Sequence, residues 1–533
     1  MGDRVSGFHN PKELSQIAAY ILQCVKPFYA EIIHREEMAL ASLPLGMGSS
    51  TIFSTKFFKT NDSCPLWIKR IPCSIESHTP LDFHLASFIP SFDSLKELLD
   101  AVEYQFCRFD IQNGGALCNG NHGRRHFQEE KCYCPRRSPP SIVKIESICM
   151  IKDQFREDAY TSFKAHMAAH NPIIVEGVNK HPRFVPALWT QTAFEEVLSR
   201  DSNLLVLDSR TFLPYLCDGE PCTLPYFWQR FRSKRFSEEP YLKVKDFPET
   251  MLFSDIAPLQ YRNLYEVMPF LDYCHINHKE SGFGRLNLLN MLIGQEERPD
   301  PGPKAYICFG LYDEPYLAST PLHLDVSDAV NFLAVVKPPM EMSNDEILFE
   351  VIKRLDIEKI QGTQRERALN NPSKVGALWK VFHPDDNEKL RKAIMEWKNI
   401  KEMEWDDDVI HNQDVIVTHE MVQFLESRGI KCKLFIQNEG DVVFIPSGVA
   451  HQVQNIFSSI KVAEDFVSLE GIEQTLRVTE ELKCLKRKDD LVQIETLLQR
   501  ACAAATSILS RSEPGMTSAF LQSPSMLDHY KLL

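Results

Sequence analysis

Two separated segments constrain this chain more than anything else in it. Thr320-Pro321-Leu322-His323-Leu324-Asp325 sets a His and an Asp two positions apart. On a strand, where side chains alternate, both point to one face. Gly440-Asp441-Val442-Val443-Phe444-Ile445-Pro446-Ser447-Gly448-Val449-Ala450-His451 reads as a strand, a Pro-Ser-Gly turn and a His where the next strand begins. Two His and one carboxylate form the facial triad that holds non-haem Fe(II) with open positions. A lone His-x-Asp is more often an ordinary core position, so it is the combination that selects His323, Asp325 and His451 as metal ligands and catalytic centre. On octahedral iron the three free positions suit a chelating 2-oxo acid and dioxygen, which points to a 2-oxoglutarate-dependent dioxygenase.

The surrounding text supplies the strands. Ala305 to Leu311, Val330 to Val336, Cys432 to Gln437, Asp441 to Ile445 and Ser459 to Phe466 are short, β-branched or aromatic, and bounded by turn residues. They can form the two facing sheets of a double-stranded β-helix, or jelly roll. The expected catalytic domain runs from 301 to 510, with a helical insert at 340–430 in which Asp385 caps a helix carrying Leu390, Ile394 and Trp397. Helices follow at its C-terminal end, with Leu491, Ile494, Leu498, Ala501 and Ala505 on one stripe that packs on the core or on a second protomer, a homodimer. Residues 151–300 alternate short apolar runs, such as Pro172 to Val175 and Leu204 to Leu207, with helical patterns, and are expected to pack on the catalytic core. The whole is mixed α/β. Residues 1–135 form an N-terminal accessory region, 136–150 a linker marked by Pro135, Pro139 and Pro140, and 511–533 a flexible tail.

A formal charge of −14 argues against broad nucleic-acid binding through a basic surface and suits a basic peptide partner. The acidic run Glu402 to Asp408 can attract such a tail, although runs of this kind are usually solvated loops. Fifteen cysteines without a secretory signal read as reduced thiols or metal ligands. No apolar run reaches spanning length, so no membrane is expected. The opening Met1-Gly2-Asp3-Arg4-Val5-Ser6 fits the loose N-myristoylation template, which short sequences match by accident.

A 2-oxo diacid also needs a cation and polar donors for its distal carboxylate. Lys461, ten residues after His451 on the following strand, is the first choice. Thr320 and Asn331 are polar residues in apolar text that can face the same cavity, or can equally be ordinary strand hydrogen-bonders.

These segments resemble the Jumonji-C (JmjC) oxygenases, and within them the histone lysine demethylases acting on mono- and dimethyl-lysine nine of histone H3. The resemblance rests on Gly302-Pro303-Lys304-Ala305-Tyr306, Leu322 to Asn331, Gly376-Ala377-Leu378-Trp379, Gly440 to Val453 and Lys461 to Ser468. With the looser Pro172 to Gly177, it covers about residues 145–510. It implies a cupin-like JmjC core, Fe(II) and 2-oxoglutarate as cofactor and co-substrate, a histone H3 tail as substrate, residence in the nucleus, and a role in chromatin and transcription regulation. An N-methyl carbon hydroxylated there gives a hemiaminal that falls apart into formaldehyde and the less methylated lysine, with succinate as the other product.

The chain departs from the family pattern in two places. Members of the subgroup carry a zinc module upstream, whereas here Cys107, Cys118, His122, His126, Cys132 and Cys134 are irregularly spaced, leaving only a degenerate candidate for Zn(II). The strand after Asn331 reads Phe332 to Pro339, which makes Lys337 a rival to Lys461. Two other functions share these residues: a JmjC hydroxylase acting on a non-histone protein, and a non-catalytic chromatin scaffold.

Overall fold

A computed structural model describes most of residues 149–511, without 152–158, 202–203, 218, 235–238, 276–283, 285, 293–299, 402–406 and 486–491. It also describes positions 21, 22, 24, 25, 27 and 28 near the N-terminus. The six zinc-ligand candidates, the Met1 to Ser6 pattern, most of the linker, most of the acidic run and the 511–533 tail lie outside these residues, with the exception of Arg511.

The strands, in chain order, are β1 (Cys149–Ile151), β2 (Ile173–Val175), β3 (Leu207–Asp208), β4 (Leu216–Cys217), β5 (Glu220–Pro221), β6 (Leu242–Phe247), β7 (Lys304–Cys308), β8 (Thr320–His323), β9 (Asp328–Lys337), β10 (Val375–Phe382), β11 (Cys432–Asn438), β12 (Val442–Ile445), β13 (Ala450–Asn455) and β14 (Ser458–Phe466). Eight of them make one sheet in the order β1-β2-β12-β9-β14-β7-β6-β3, and four make a second, β11-β10-β13-β8. The two sheets face each other. Ile174, Val443 and Ile445 from the large sheet meet Ala377, Trp379, Val381, Phe435 and Val453 from the small one, the interdigitated interior expected of a jelly roll.

Residues 151–300 do more than pack on the core. They contribute β2, β3 and β6 to the large sheet, so its two ends are built from this region. The strand β1 starts at Cys149, inside the segment read as linker, and pairs in parallel with β2. A short apolar run has no way to announce that its partner is a distant strand, and this is why the region reads as a separate layer.

The expected insert is likewise interrupted by a core strand. Helices Asn344–Ile357, Gly362–Asn370, Asn387–Trp397 and His419–Ser427 lie within 340–430, but β10 runs between them, buried along its whole length. Asp385 is not the cap of Asn387–Trp397. A 3-10 turn over Pro384–Asp386 leads in, and Asp386 holds the cap position. Leu390 and Ile394 are buried on the outer side of the small sheet with Met421 and Leu425, while Trp397 is exposed against Phe424. Helix Ile494–Arg511 buries Ile494, Leu498, Ala501 and Ala505 in the main core, so this stripe packs on the protein itself.

One ion pair ties the small sheet to the insert. Lys380 Nζ on β10 lies 3.0 Å from Glu358, both side chains almost fully buried, and donates to the Val417 carbonyl at 2.9 Å. Removing one partner strands a buried charge, at a typical cost of about 3–5 kcal/mol. Lys380→Ala is therefore expected to lower stability by about that amount in denaturant unfolding. The double replacement Lys380→Met with Glu358→Leu should recover most of it, since a well-packed apolar pair costs far less than a lone charge.

Candidate metal centre

The strand pairing brings the two halves of the motif together. His323 on β8 and His451 on β13 are direct partners in the small sheet, with ring centroids 4.2 Å apart. Asp325 follows β8, its carboxylate oxygens 3.5 Å from His323 Nε2 and 3.6 Å from His451 Nε2. One ligand atom from each of the three lies within 4.8 Å of the others.

Local hydrogen bonds orient the two imidazoles. His323 Nδ1 bonds the Pro321 carbonyl at 2.9 Å, and His451 Nδ1 bonds the Val449 carbonyl at 2.9 Å. A carbonyl only accepts, so each Nδ1 carries the proton and each Nε2 lone pair is left facing the Asp325 carboxylate. Burial, and then the neighbouring His323, lower the His451 pKa to about 4. At neutral pH the ring is uncharged, the form a metal requires.

The segments bearing the ligands are held to each other by a buried carboxylate. Asp328 accepts hydrogen bonds from the Ser447 and Ser468 backbone N–H groups, both at 2.8 Å. Gly448, at φ 72°, adopts the left-handed conformation that the turn before His451 needs, and its N–H reaches the Asp325 carbonyl at 3.2 Å. The donor set, its spacing and its free nitrogens fit a divalent iron ion.

Lys461 sits on β14 opposite Tyr306 of β7 and Leu333 of β9. It is buried, its Nζ lies 5.6 Å from the centre of the Trp379 ring, and it has no hydrogen-bond or ion-pair partner among the described residues. Burial lowers its pKa to about 8. A buried, unpaired ammonium calls for an anion, and the chemistry of a dicarboxylate co-substrate matches it. Asn331 pairs with Ala463, two residues from Lys461 on the same face, and Gln437 donates to its carbonyl at 3.1 Å. Thr320 pairs with Val453, a residue of the inter-sheet cluster. Both thus lie on inward faces. The rival Lys337 does not: its neighbour Val336 packs inward with Leu333 and Leu378 after an irregularity in β9, which turns Lys337 the other way.

Sequence reading assigned no role to Trp379, yet it links both halves of the site. Its ring stacks on His451 at 5.7 Å, its indole N–H donates to Gln437 at 3.0 Å, and its face receives Lys461. Only the register of β10 against β13 reveals this.

Residues 369–466 match the family model described as "JmjC domain, hydroxylase". The chain carries a JmjC domain. The JmjC match spans β10 to β14 and includes His451 and Lys461, while His323 and Asp325 precede it and join it through the β8–β13 pairing. Human lysine-specific demethylase 3A is 31% identical over 381 residues, 68% of this chain and 27% of the relative. Lysine-specific demethylase 3 of Drosophila melanogaster is 31% identical over 300 residues, 54% of this chain and 34% of the relative. A human protein named probable JmjC domain-containing histone demethylation protein 2C is 29% identical over 381 residues, 68% and 14% of the two chains. The JmjC chain therefore spans about a quarter of the length of the human demethylase 3A it matches. Among the described residues no helix is long and apolar enough to cross a membrane.

Proposed function

We propose that this chain is an Fe(II)- and 2-oxoglutarate-dependent histone lysine demethylase that removes methyl groups from mono- and dimethyl-lysine nine of histone H3, acting on chromatin in the nucleus. The observation that carries the proposal is the convergence of His323, Asp325 and His451 in one JmjC core with the unpaired Lys461. The names of the relatives support lysine demethylation, and one of them a histone as the substrate.

Iron and 2-oxoglutarate, when bound, supply hydroxylation of a C–H bond by dioxygen, and a hydroxylated N-methyl group releases formaldehyde. The protein supplies positioning. His323, Asp325 and His451 hold the metal through two uncharged nitrogens and one carboxylate. Lys461 neutralises the distal carboxylate of the co-substrate, with Thr320 and Asn331 as polar partners and Trp379 as the wall that both orients His451 and backs Lys461. The Asp325 side chain is 29% exposed and that of His451 4%, so substrate reaches the centre from the Asp325 side. Apolar residues between the sheets keep water from the other side. Selectivity then depends on how a methyl carbon is placed, because misplacement of about 1 Å costs about a hundredfold.

Mass spectrometry of a dimethylated H3 tail peptide after incubation with iron, ascorbate and 2-oxoglutarate tests this reading. Loss of methyl groups is the expected result. Gain of an oxygen that stays on the peptide would replace it with protein hydroxylation, the activity named in the domain description.

A further inference from the structure

On β14 the alternation that turns Lys461 into the cavity also turns Ala463 and Asp465 into it. Asp465 pairs with Ala329, whose other partner, Ile445, belongs to the inter-sheet cluster. Lys461 and Asp465 are thus four residues apart on one inward face, about 13 Å at the usual strand rise. One end of the strand presents an amine to the cavity and the other a carboxyl group.

Asp465 has an unusual setting. Protein surrounds it closely, yet its side chain is exposed, as for a residue lining an open cavity. Its backbone N–H donates to the Pro301 carbonyl at 2.7 Å, but its carboxylate has no hydrogen-bond or ion-pair partner among the described residues. Burial and then the carboxylate of Asp325, the metal ligand, followed by Asp246, Asp300 and Asp328, raise its pKa well above the usual carboxylate range, so a cation bound beside it is what restores the anion. Tyr306, the cross-strand partner of Lys461, lies in the same field: burial and then Asp246 and Asp465 raise its pKa, with a hydrogen bond to Asp246 and the charge of Asp325 adding to the effect. Asp246 reaches this place because β6 carries one extra residue between Val244 and Phe247, where Lys245 and Asp246 together oppose Tyr306 of β7, with Asp246 itself at φ 54°. Asp246 is ion-paired to Lys245 at 3.2 Å; Asp465 is not paired.

We propose that Asp465, with Tyr306 beside it, receives the alkylammonium group of the substrate and sets the preference of the site for a charged amine. This rests on the demethylase reading above and names the residue that recognises its substrate. A methylated lysine keeps its positive charge, and a carboxylate in a partly desolvated cavity beside the metal ligand is the complement of that charge. The Asp325 side chain is 29% exposed, Asp465 is exposed, and the two carboxylates are close enough to act on each other, so an ammonium held at Asp465 lies near the metal ligands. Tyr306 contributes an aromatic ring, whose face also favours a cation.

The test is equilibrium binding to the full chain loaded with iron and 2-oxoglutarate without oxygen, so that affinity is read apart from turnover. Two H3 tail peptides are compared, one with dimethyl-lysine and one with an uncharged isostere bearing carbon in place of the ammonium nitrogen. The wild-type protein should bind the charged peptide about tenfold or more tightly, and Asp465→Asn should shrink that ratio to within about twofold, with Asp465→Glu restoring part of it. An unchanged ratio in Asp465→Asn overturns the proposal, as does equal affinity of the wild type for both peptides. If Asp465→Asn does not fold, Asp465→Ser, smaller and freed of the carboxylate repulsion, is read by the same criteria. A charge preference that depends on Asp465 in a protein releasing no formaldehyde would overturn the demethylase reading and leave this assignment standing.

Discussion

His323→Ala is expected to weaken iron(II) binding by more than about a hundredfold and to abolish turnover. Altering an outer-shell partner alone costs 10–100-fold in metal affinity, and this substitution removes a ligand from the inner set of three. The side chain lies on an inward strand face and is 13% exposed, so the sheet pairing can survive its loss. Anaerobic iron titration of both proteins checks the first effect, and succinate release the second. Asp325→Ala should behave alike. His451→Ala should also lower stability, because that ring is buried and stacked on Trp379.

Lys461→Met is expected to raise the KM for 2-oxoglutarate by roughly 30-fold to several thousandfold, the equivalent of losing one partner of a buried, hydrogen-bonded charge pair at about 2–5 kcal/mol. Iron binding should persist, which separates this variant from the ligand substitutions. The same lysine predicts a pH dependence. Burial holds its pKa at about 8 in the free protein, and an anion bound beside it would raise that value. The protonated form is the one that binds a carboxylate. Affinity for 2-oxoglutarate should therefore be full below pH 8 and fall by up to about tenfold per unit above it, until the pKa of the bound state is passed. Lys461→Met should show no such decline. A pH-independent KM in the wild type would remove Lys461 from the co-substrate site.

Much of the core was legible because its signals are local. The His-x-Asp strand, the Pro-Ser-Gly turn before His451 and the β-branched runs of β9, β12 and β14 each declare themselves within a few residues. The choice between Lys461 and Lys337 was not local. It turns on an irregularity of β9 opposite Ile460 and Lys461, where one extra residue reverses the facing of everything beyond it. Trp379, Tyr306 and Asp465 escaped functional assignment for a related reason: each acquires its meaning from a partner strand far away in sequence. The strands before residue 300 read as a separate layer because β2 finds its neighbour in β12, and β6 finds its own in β7, only after the chain has folded. Within the insert, the mostly apolar character of β10, broken only by the buried Lys380, reflects burial on both faces, a pattern that does not by itself separate a core strand from a buried helical turn.

The most direct test of the central claim is formaldehyde and succinate release by purified protein given Fe(II), ascorbate, 2-oxoglutarate and a dimethylated H3 tail peptide, with His323→Ala alongside. The account predicts both products from the wild type, dependent on peptide, and neither from the variant. Neither product from folded, iron-loaded wild-type protein would contradict it and leave a JmjC scaffold without turnover.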